Sequence, residues 1–206
     1  MNTRIFNLIV LDESGSMEVI KQQAIMGVNE TVQTIKSAQK EYEDQEHIVS
    51  LVTFNSRAVK TVYDKVQAEN VAELTEADYC PNCGTPLYDA MGQALNDLRQ
   101  YVADKDKVLV TIITDGYENA SKEYGGAAIK ALVNELKSKG WVFTYIGANQ
   151  DVEEAASAIA VNNVMHFQTT QSGTREMFAK ERSSRNRWFD RVSRGIVEEE
   201  GKFFDE

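Results

Sequence analysis

The stretch Ile5-Phe6-Asn7-Leu8-Ile9-Val10-Leu11-Asp12-Glu13-Ser14-Gly15-Ser16 decides the reading of this chain. Residues 5–11 form a nearly continuous apolar run, which suits a strand buried on both faces of a parallel sheet. The run stops abruptly at an acid and two hydroxyls spaced i, i+2, i+4, a spacing that points alternate side chains the same way. Gly15 permits a tight turn between them. Downstream the period changes. Ile20, Ala24, Val28, Thr31, Val32, Ile35 and Ala38 fall on one face of a helix expected over 17–40.

The alternation continues along the chain. A strand at 47–54, a turn at Asn55-Ser56 and an alternating run at 57–66 read as a hairpin, so one strand is antiparallel. Segment 67–84 is irregular, with at most a short helix around Val71–Leu74. A helix is expected over 86–103, with Pro86 in its first turn, where a missing N–H costs nothing. A second buried strand, 107–114, ends at Asp115-Gly116. Then follow a helix at 125–139 stopped by Gly140, a strand at 141–147, a helix at 151–160, a short strand near 163–167 and a last helix over 173–195. Strands alternating with helices predict an α/β fold, a doubly wound, Rossmann-like sheet with helices on both faces.

Composition bounds the function. The 206 residues suffice for one well-cored domain, with 42% hydrophobic and 26% charged residues and a net charge of −10. That acidity disfavours nucleic acid, whose phosphates need a concentrated basic face. The two prolines exclude a proline-rich linker. The N-terminal apolar run is too short for a signal peptide, and no stretch has the length to cross a bilayer, so the expected location is cytoplasmic. Charge is uneven at the end: segment 175–195 holds seven Arg/Lys against three Asp/Glu, and 196–206 holds five acids against one Lys. The basic segment reads as a solvated helix face packed on the domain, with a docking surface as the alternative, and the acidic one as a frayed tail, with Phe203-Phe204 tucking back onto the domain as the alternative.

Asp12, Ser14, Ser16 and Asp115 lie beyond the carboxyl ends of strands, where open α/β sheets bind ligands at the point of strand-order reversal. Oxygen donors of this kind suit a hard divalent cation. Three motifs now carry a resemblance. Asp12-x-Ser14-x-Ser16, Gly84-Thr85-Pro86-Leu87-Tyr88-Asp89-Ala90 and Ile113-Thr114-Asp115-Gly116 resemble the three motifs of the metal-ion-dependent adhesion site (MIDAS) of the von Willebrand factor A (vWA) family, of bacterial intracellular type. The resemblance covers residues 5–167. It implies a sheet of about six strands in the order 3-2-1-4-5-6 with one antiparallel edge strand. It implies Asp12, Ser14, Ser16, Thr85 and Asp115 as holders of Mg²⁺, with Mn²⁺ or Ca²⁺ as alternatives. The domain is expected over 1–170, followed by the basic helix 171–195 and the acidic tail 196–206.

The function implied is a non-enzymatic protein-binding module that uses its cation to hold an Asp or Glu of a partner, an AAA+ ATPase or assembly factor among the candidates. A metal-dependent hydrolase or phosphatase using Asp12 is the alternative, but Ser14 stands where such an enzyme needs a second acid, and no proton carrier is assignable. A ribonucleoprotein component is a weaker alternative, resting only on the basic helix. Simpler explanations stand beside the metal: Asp12, Ser16 or Thr85 as helix caps, Glu13 and Glu118 as solvent-exposed, Tyr88 and Asp89 as parts of a helix start, His47 and His166 as packing or edge residues, Trp141 and Trp188 as core. Cys80 and Cys83 form a CxxC that departs from the glycine-rich stretch expected before Thr85. They read as two free thiols, as a redox pair that restrains the Thr85 loop, or as half of an intermolecular zinc site.

Overall fold

The computed structural model describes residues 2–149, 151–196 and 202–204. Six strands form one sheet: β1 (Thr3–Asp12), β2 (Gln45–Asn55), β3 (Ala58–Gln67), β4 (Lys107–Thr114), β5 (Val142–Gly147) and β6 (Asn163–His166). Their order is β3-β2-β1-β4-β5-β6. Only the β2–β3 hairpin is antiparallel, so the expected order and the antiparallel edge strand are both present. β1 is central because it can be apolar on both faces. Ile5, Ile9 and Leu11 enter one core layer, and Phe6, Leu8 and Val10 enter the other.

Among the described residues five α-helices cover the sheet. α1 (Lys21–Glu41) and α5 (Gln171–Ser193) bury their apolar stripes in the first layer. α2 (Leu87–Leu98), α3 (Gly126–Ser138) and α4 (Val152–Ala158) build the second. α1 and α5 touch closely at Gly27, where a methyl group would fall 2.0 Å from the Phe178 ring. Gly140 ends α3 at φ 83°, the left-handed conformation that glycine adopts without a steric cost. No helix among the described residues is long and apolar enough to cross a membrane.

Four details refine or correct the pattern read in the sequence. Segment 67–84, read as irregular with at most a short helix around Val71–Leu74, has no helix there; a 3-10 turn at Ala68–Asn70 stands just before it, and Val71 and Leu74 are buried in irregular chain. The helix expected over 17–40 opens with a 3-10 turn at Gly15–Ile20, because Ser14 stays extended (ψ 165°) to serve the loop before it. α2 ends at Leu98, short of residue 103. The basic segment is not simply a solvated face, for Arg185 on α5 is completely buried. Its guanidinium donates to Asn7 Oδ1 (2.9 Å), Thr111 Oγ1 (2.9 Å) and Glu181 Oε1 (2.8 Å from Nε). Asn7 and Thr111 are polar residues inside otherwise apolar strands, and this arginine is why they are tolerated. Glu181 lies one turn away on the same helix and neutralises the charge.

Phe203 and Phe204 pack into the first core layer, and Phe203 N donates to Asn163 Oδ1 at 3.0 Å. Most of the acidic segment 196–206 lies outside the described residues. Trp141 and Trp188 are buried as expected.

Candidate metal centre

β1 and β4 are neighbours, yet the chain leaves them in opposite directions along the sheet: β1 connects through α1 to β2, and β4 through α3 to β5. Their loops diverge and open a crevice at the carboxyl ends of the strands. Asp12 is the last residue of β1, and Asp115 follows the last residue of β4. Both carboxylates are buried, as are Ser14 and Thr85, while Ser16 is exposed.

The first loop is built around Asp12. Its Oδ1 accepts from Ser14 N at 2.7 Å and its Oδ2 from Thr114 Oγ1 at 2.6 Å. Ser14 Oγ lies 3.3 Å from Ser16 Oγ, which in turn donates to Asp115 Oδ1 at 2.5 Å. Thr85 enters from a third segment. Asn119 clamps its backbone, accepting from Thr85 N at 2.9 Å and donating to Thr85 O at 3.0 Å. Its hydroxyl reaches Gly116: a methyl placed there would sit 3.5 Å from Thr85 Oγ1. The fold thus gathers all five residues singled out in the sequence, from three loops, at one end of the sheet.

The capping explanations do not describe this geometry. The residue before the 3-10 turn is Ser14 and the one before α2 is Pro86, and neither makes a side-chain cap. No hydroxyl of Ser14, Ser16 or Thr85 is spent on a helix end. One polar atom here has no partner at all: Asp115 Oδ2 is buried without a hydrogen bond. An orphaned carboxylate oxygen costs free energy on the order of 1–3 kcal/mol or more unless something satisfies it.

The electrostatics point the same way. Burial pushes the Asp12 carboxyl up to about 6, against the downward pull of its bonds from Thr114 and Ser14 and with a further push from the Asp115 charge. Asp115 is also raised by burial, partly offset by Ser16. Two acids share a water-poor crevice, and no lysine or arginine side chain bonds to either among the hydrogen bonds and ion pairs described. A bound cation would offset that mutual repulsion and the burial of both charges. Among the described residues no cluster of three or more His, Cys, Asp or Glu side chains gathers anywhere. An ion held here therefore takes two carboxylates and three hydroxyls, an all-oxygen set suited to a hard divalent cation.

A family model, the von Willebrand factor type A domain, matches residues 8–181. The chain belongs to the von Willebrand factor A domain family. No curated protein matches it. Among solved structures, the vWA fold recurs in a mutant of the PilB minor pilin of Streptococcus sanguinis, at TM-score 0.61 and 15% identity over 93% of this chain and 63% of that one. It recurs in the vWF domain of the type V pili tip protein Mfa5 of Porphyromonas gingivalis, at TM-score 0.61 and 10% identity over 97% and 98% of the two chains. The pilus adhesin SpaC of Lactobacillus rhamnosus GG gives TM-score 0.62 and 13% identity over 94% and 31%. This vWA chain spans less than two thirds of the PilB and SpaC structures, and identities this low speak to the fold alone.

Several vWA-site residues were not singled out by the sequence, or were read otherwise. Glu13 is not solvent-exposed: it is buried, and its carboxylate accepts from Cys80 N at 2.5 Å. Glu118, also read as solvent-exposed, is half-buried and caps α2, accepting from Tyr88 N (2.9 Å), and it accepts from Ala120 N, Ser121 N and the Ser121 hydroxyl. Asp89 sits in the helix start as expected, and there binds the N–H groups of Lys122, Glu123 and Tyr124. Tyr79 is fully buried and donates to Asp12 O at 2.6 Å. Thr114, which precedes Asp115, was visible as the last strand residue; Asn119 and Tyr79 carried no local signal.

Cys80 and Cys83 are free and exposed. His47 is buried at Phe189, and His166 is exposed beside Glu153. Neither histidine is among the site contacts.

Proposed function

We infer that this vWA domain is a binding module: Asp12, Ser14, Ser16, Thr85 and Asp115 hold one Mg²⁺, and the cation takes a carboxylate of an Asp or Glu on a partner protein. The observation that carries this is the buried, partnerless Asp115 Oδ2 beside a chain of hydroxyls that cap nothing. When bound, the ion supplies positive charge to two buried acids and an electron-poor position for an incoming carboxylate. The chain's own part is to fix the donors. Thr114 and Ser14 N hold Asp12, Ser16 holds one oxygen of Asp115, and Asn119 holds Thr85.

The hydrolase alternative draws no support from Asp12. Hydrolysis needs a positioned proton carrier, and neither histidine is among the site contacts: His47 is buried at Phe189 and His166 lies beside Glu153. The ribonucleoprotein alternative weakens too, since Arg185 of the basic helix is spent inside the protein.

The test is affinity capture with the tagged chain in Mg²⁺, in chelator, and with Asp115→Ala in Mg²⁺. A partner lost in both chelator and variant supports metal-bridged recognition. A partner retained equally in all three contradicts it.

A further inference from the structure

The two thiols beside Thr85 take no part in the metal centre, yet their backbone is sewn into it. Cys80 N donates to Glu13 Oε1 at 2.5 Å, Asn82 N to Glu13 O at 2.9 Å, and Gly15 N to Cys83 O at 3.0 Å. Glu13 and Gly15 are the residues interleaved with Asp12, Ser14 and Ser16. On its other side the loop is pressed against the Asp115 loop: a methyl group at Gly84 would fall 2.8 Å from Asn119 Oδ1, the atom that holds Thr85 N. Segment 80–84 is thus a wedge between the two acidic loops.

The wedge is poised rather than relaxed. Cys83 has φ 62°, a left-handed conformation that costs a non-glycine residue and persists only where its surroundings enforce it. Both side chains are exposed, so a small oxidant reaches them. The spacing of two intervening residues is the one used by dithiol–disulfide couples. In the dithiol state Cys80 Sγ is turned to the carbonyl of Glu76, at 3.3 Å.

We propose that Cys80 and Cys83 are a redox modification site: a low-molecular-weight disulfide closes them into an intrachain disulfide, and closure loosens the metal centre. The proposal rests on the Mg²⁺ site inferred above. In the chemistry, one cysteine thiolate attacks a sulfur of glutathione disulfide and expels a glutathione thiolate. The second cysteine thiolate then attacks the protein sulfur of the mixed disulfide and expels the other. Two electrons pass to the glutathione pair, and the two thiol protons end on the two glutathiones. Closure requires Cβ atoms about 3.5–4.5 Å apart. Forming the S–S bond takes Cys80 Sγ from the Glu76 carbonyl and ties residues 80 and 83 to one mutual geometry. That constraint acts on the segment whose backbone bonds Glu13 and Gly15 and leads directly into Thr85, and Cys83 already holds a left-handed conformation within it. The dithiol form is the one whose loops fit together, so oxidation weakens Mg²⁺ binding, by about tenfold. Linkage makes the effect reciprocal: saturating Mg²⁺ raises the reduction potential of the pair, about 30 mV for a tenfold coupling.

The test uses the full chain equilibrated in graded glutathione buffers, with thiol state read by alkylation and mass spectrometry and Mg²⁺ affinity by calorimetry. The expected result is an intrachain disulfide in monomeric protein, Mg²⁺ affinity about tenfold lower, recovery on reduction, and a Cys80→Ser/Cys83→Ser protein that binds like the reduced form in every buffer. Equal Mg²⁺ affinity in both thiol states overturns the coupling while leaving the metal centre standing. Thiols that stay reduced, or that hold zinc between two chains, overturn the modification site. Mg²⁺ binding to neither state rejects the metal centre and the coupling together.

Discussion

Ser16 Oγ donates to one oxygen of the Asp115 carboxylate at 2.5 Å, and the other oxygen of the same carboxylate is buried with nothing to accept. Residues 16 and 115 meet because β1 and β4 are adjacent parallel strands whose loops part at the switch point of the sheet. A half-satisfied buried acid is what a metal site looks like from the protein's side. In the metal site proposed here the donors are fixed in advance, and a bound ion would offset the cost of fixing them.

That relationship predicts opposite effects from Asp12→Asn. Burial holds the Asp12 carboxyl at about 6, above its ordinary range, so the ionised form at pH 7.5 destabilises the metal-free fold. Replacing it with a neutral amide is expected to raise stability in chelator by on the order of 1–3 kcal/mol. The same change is expected to abolish the extra stability that Mg²⁺ gives the wild type. Thermal denaturation with and without Mg²⁺ checks both; a variant that still gains stability from Mg²⁺ contradicts the assignment of Asp12.

His47 gives a pH dependence of known sign. Burial, with help from the Arg185 charge, lowers it to about 4, and its Nδ1 has no partner. The folded state thus holds the neutral ring, while the unfolded state takes up a proton near pH 6.5. Its contribution is fully present above about pH 6.5 and is lost as pH falls towards 4, up to about 3 kcal/mol. Asp12 acts in the opposite sense over an overlapping window, since its raised pKa makes the metal-free fold gain stability as pH falls towards 4. The His47 effect is therefore read as a difference: urea unfolding of His47→Gln in chelator is expected to lose less stability than wild type between pH 7 and 4.5. Parallel curves for the two proteins count against the buried neutral imidazole.

Arg185→Ala is expected to cost about 3–5 kcal/mol in urea unfolding, because it leaves Glu181 charged and buried and strips the bonds from Asn7 and Thr111. A loss under about 1 kcal/mol is not compatible with this network carrying the α5–sheet contact.

The sequence made the architecture legible because burial writes itself into period. The runs 5–11 and 107–114 read as strands buried on both faces, while the order of the strands came from the resemblance to the vWA family. Asp12, Ser14, Ser16 and Asp115 were visible because polar residues end those runs abruptly. Thr85 came from the resemblance to the vWA motifs, since the loop before it has no period to read. What stayed hidden are pairings between distant residues. Arg185 looked like one more charge on a basic helix, and only the neighbours Asn7 and Thr111, polar inside apolar strands, hinted that something inside needed them. Glu13 and Glu118 looked exposed because an acid in a loop usually is; here Cys80 N claims Glu13, and Tyr88 N of α2 with Ala120 N and Ser121 N of its own loop claims Glu118. Segment 67–84 read as irregular for want of any period, and Val71 and Leu74 are buried there outside any helix.

Calorimetric titration of Mg²⁺ into the reduced chain, its Ser16→Ala variant and its Asp115→Ala variant tests the metal centre most directly. One Mg²⁺ per wild-type chain is expected, with weaker binding to Ser16→Ala and none to Asp115→Ala, and circular dichroism showing all three folded. Folded wild-type protein that takes up no divalent cation, or an Asp115→Ala protein that binds Mg²⁺ as well as wild type, contradicts it.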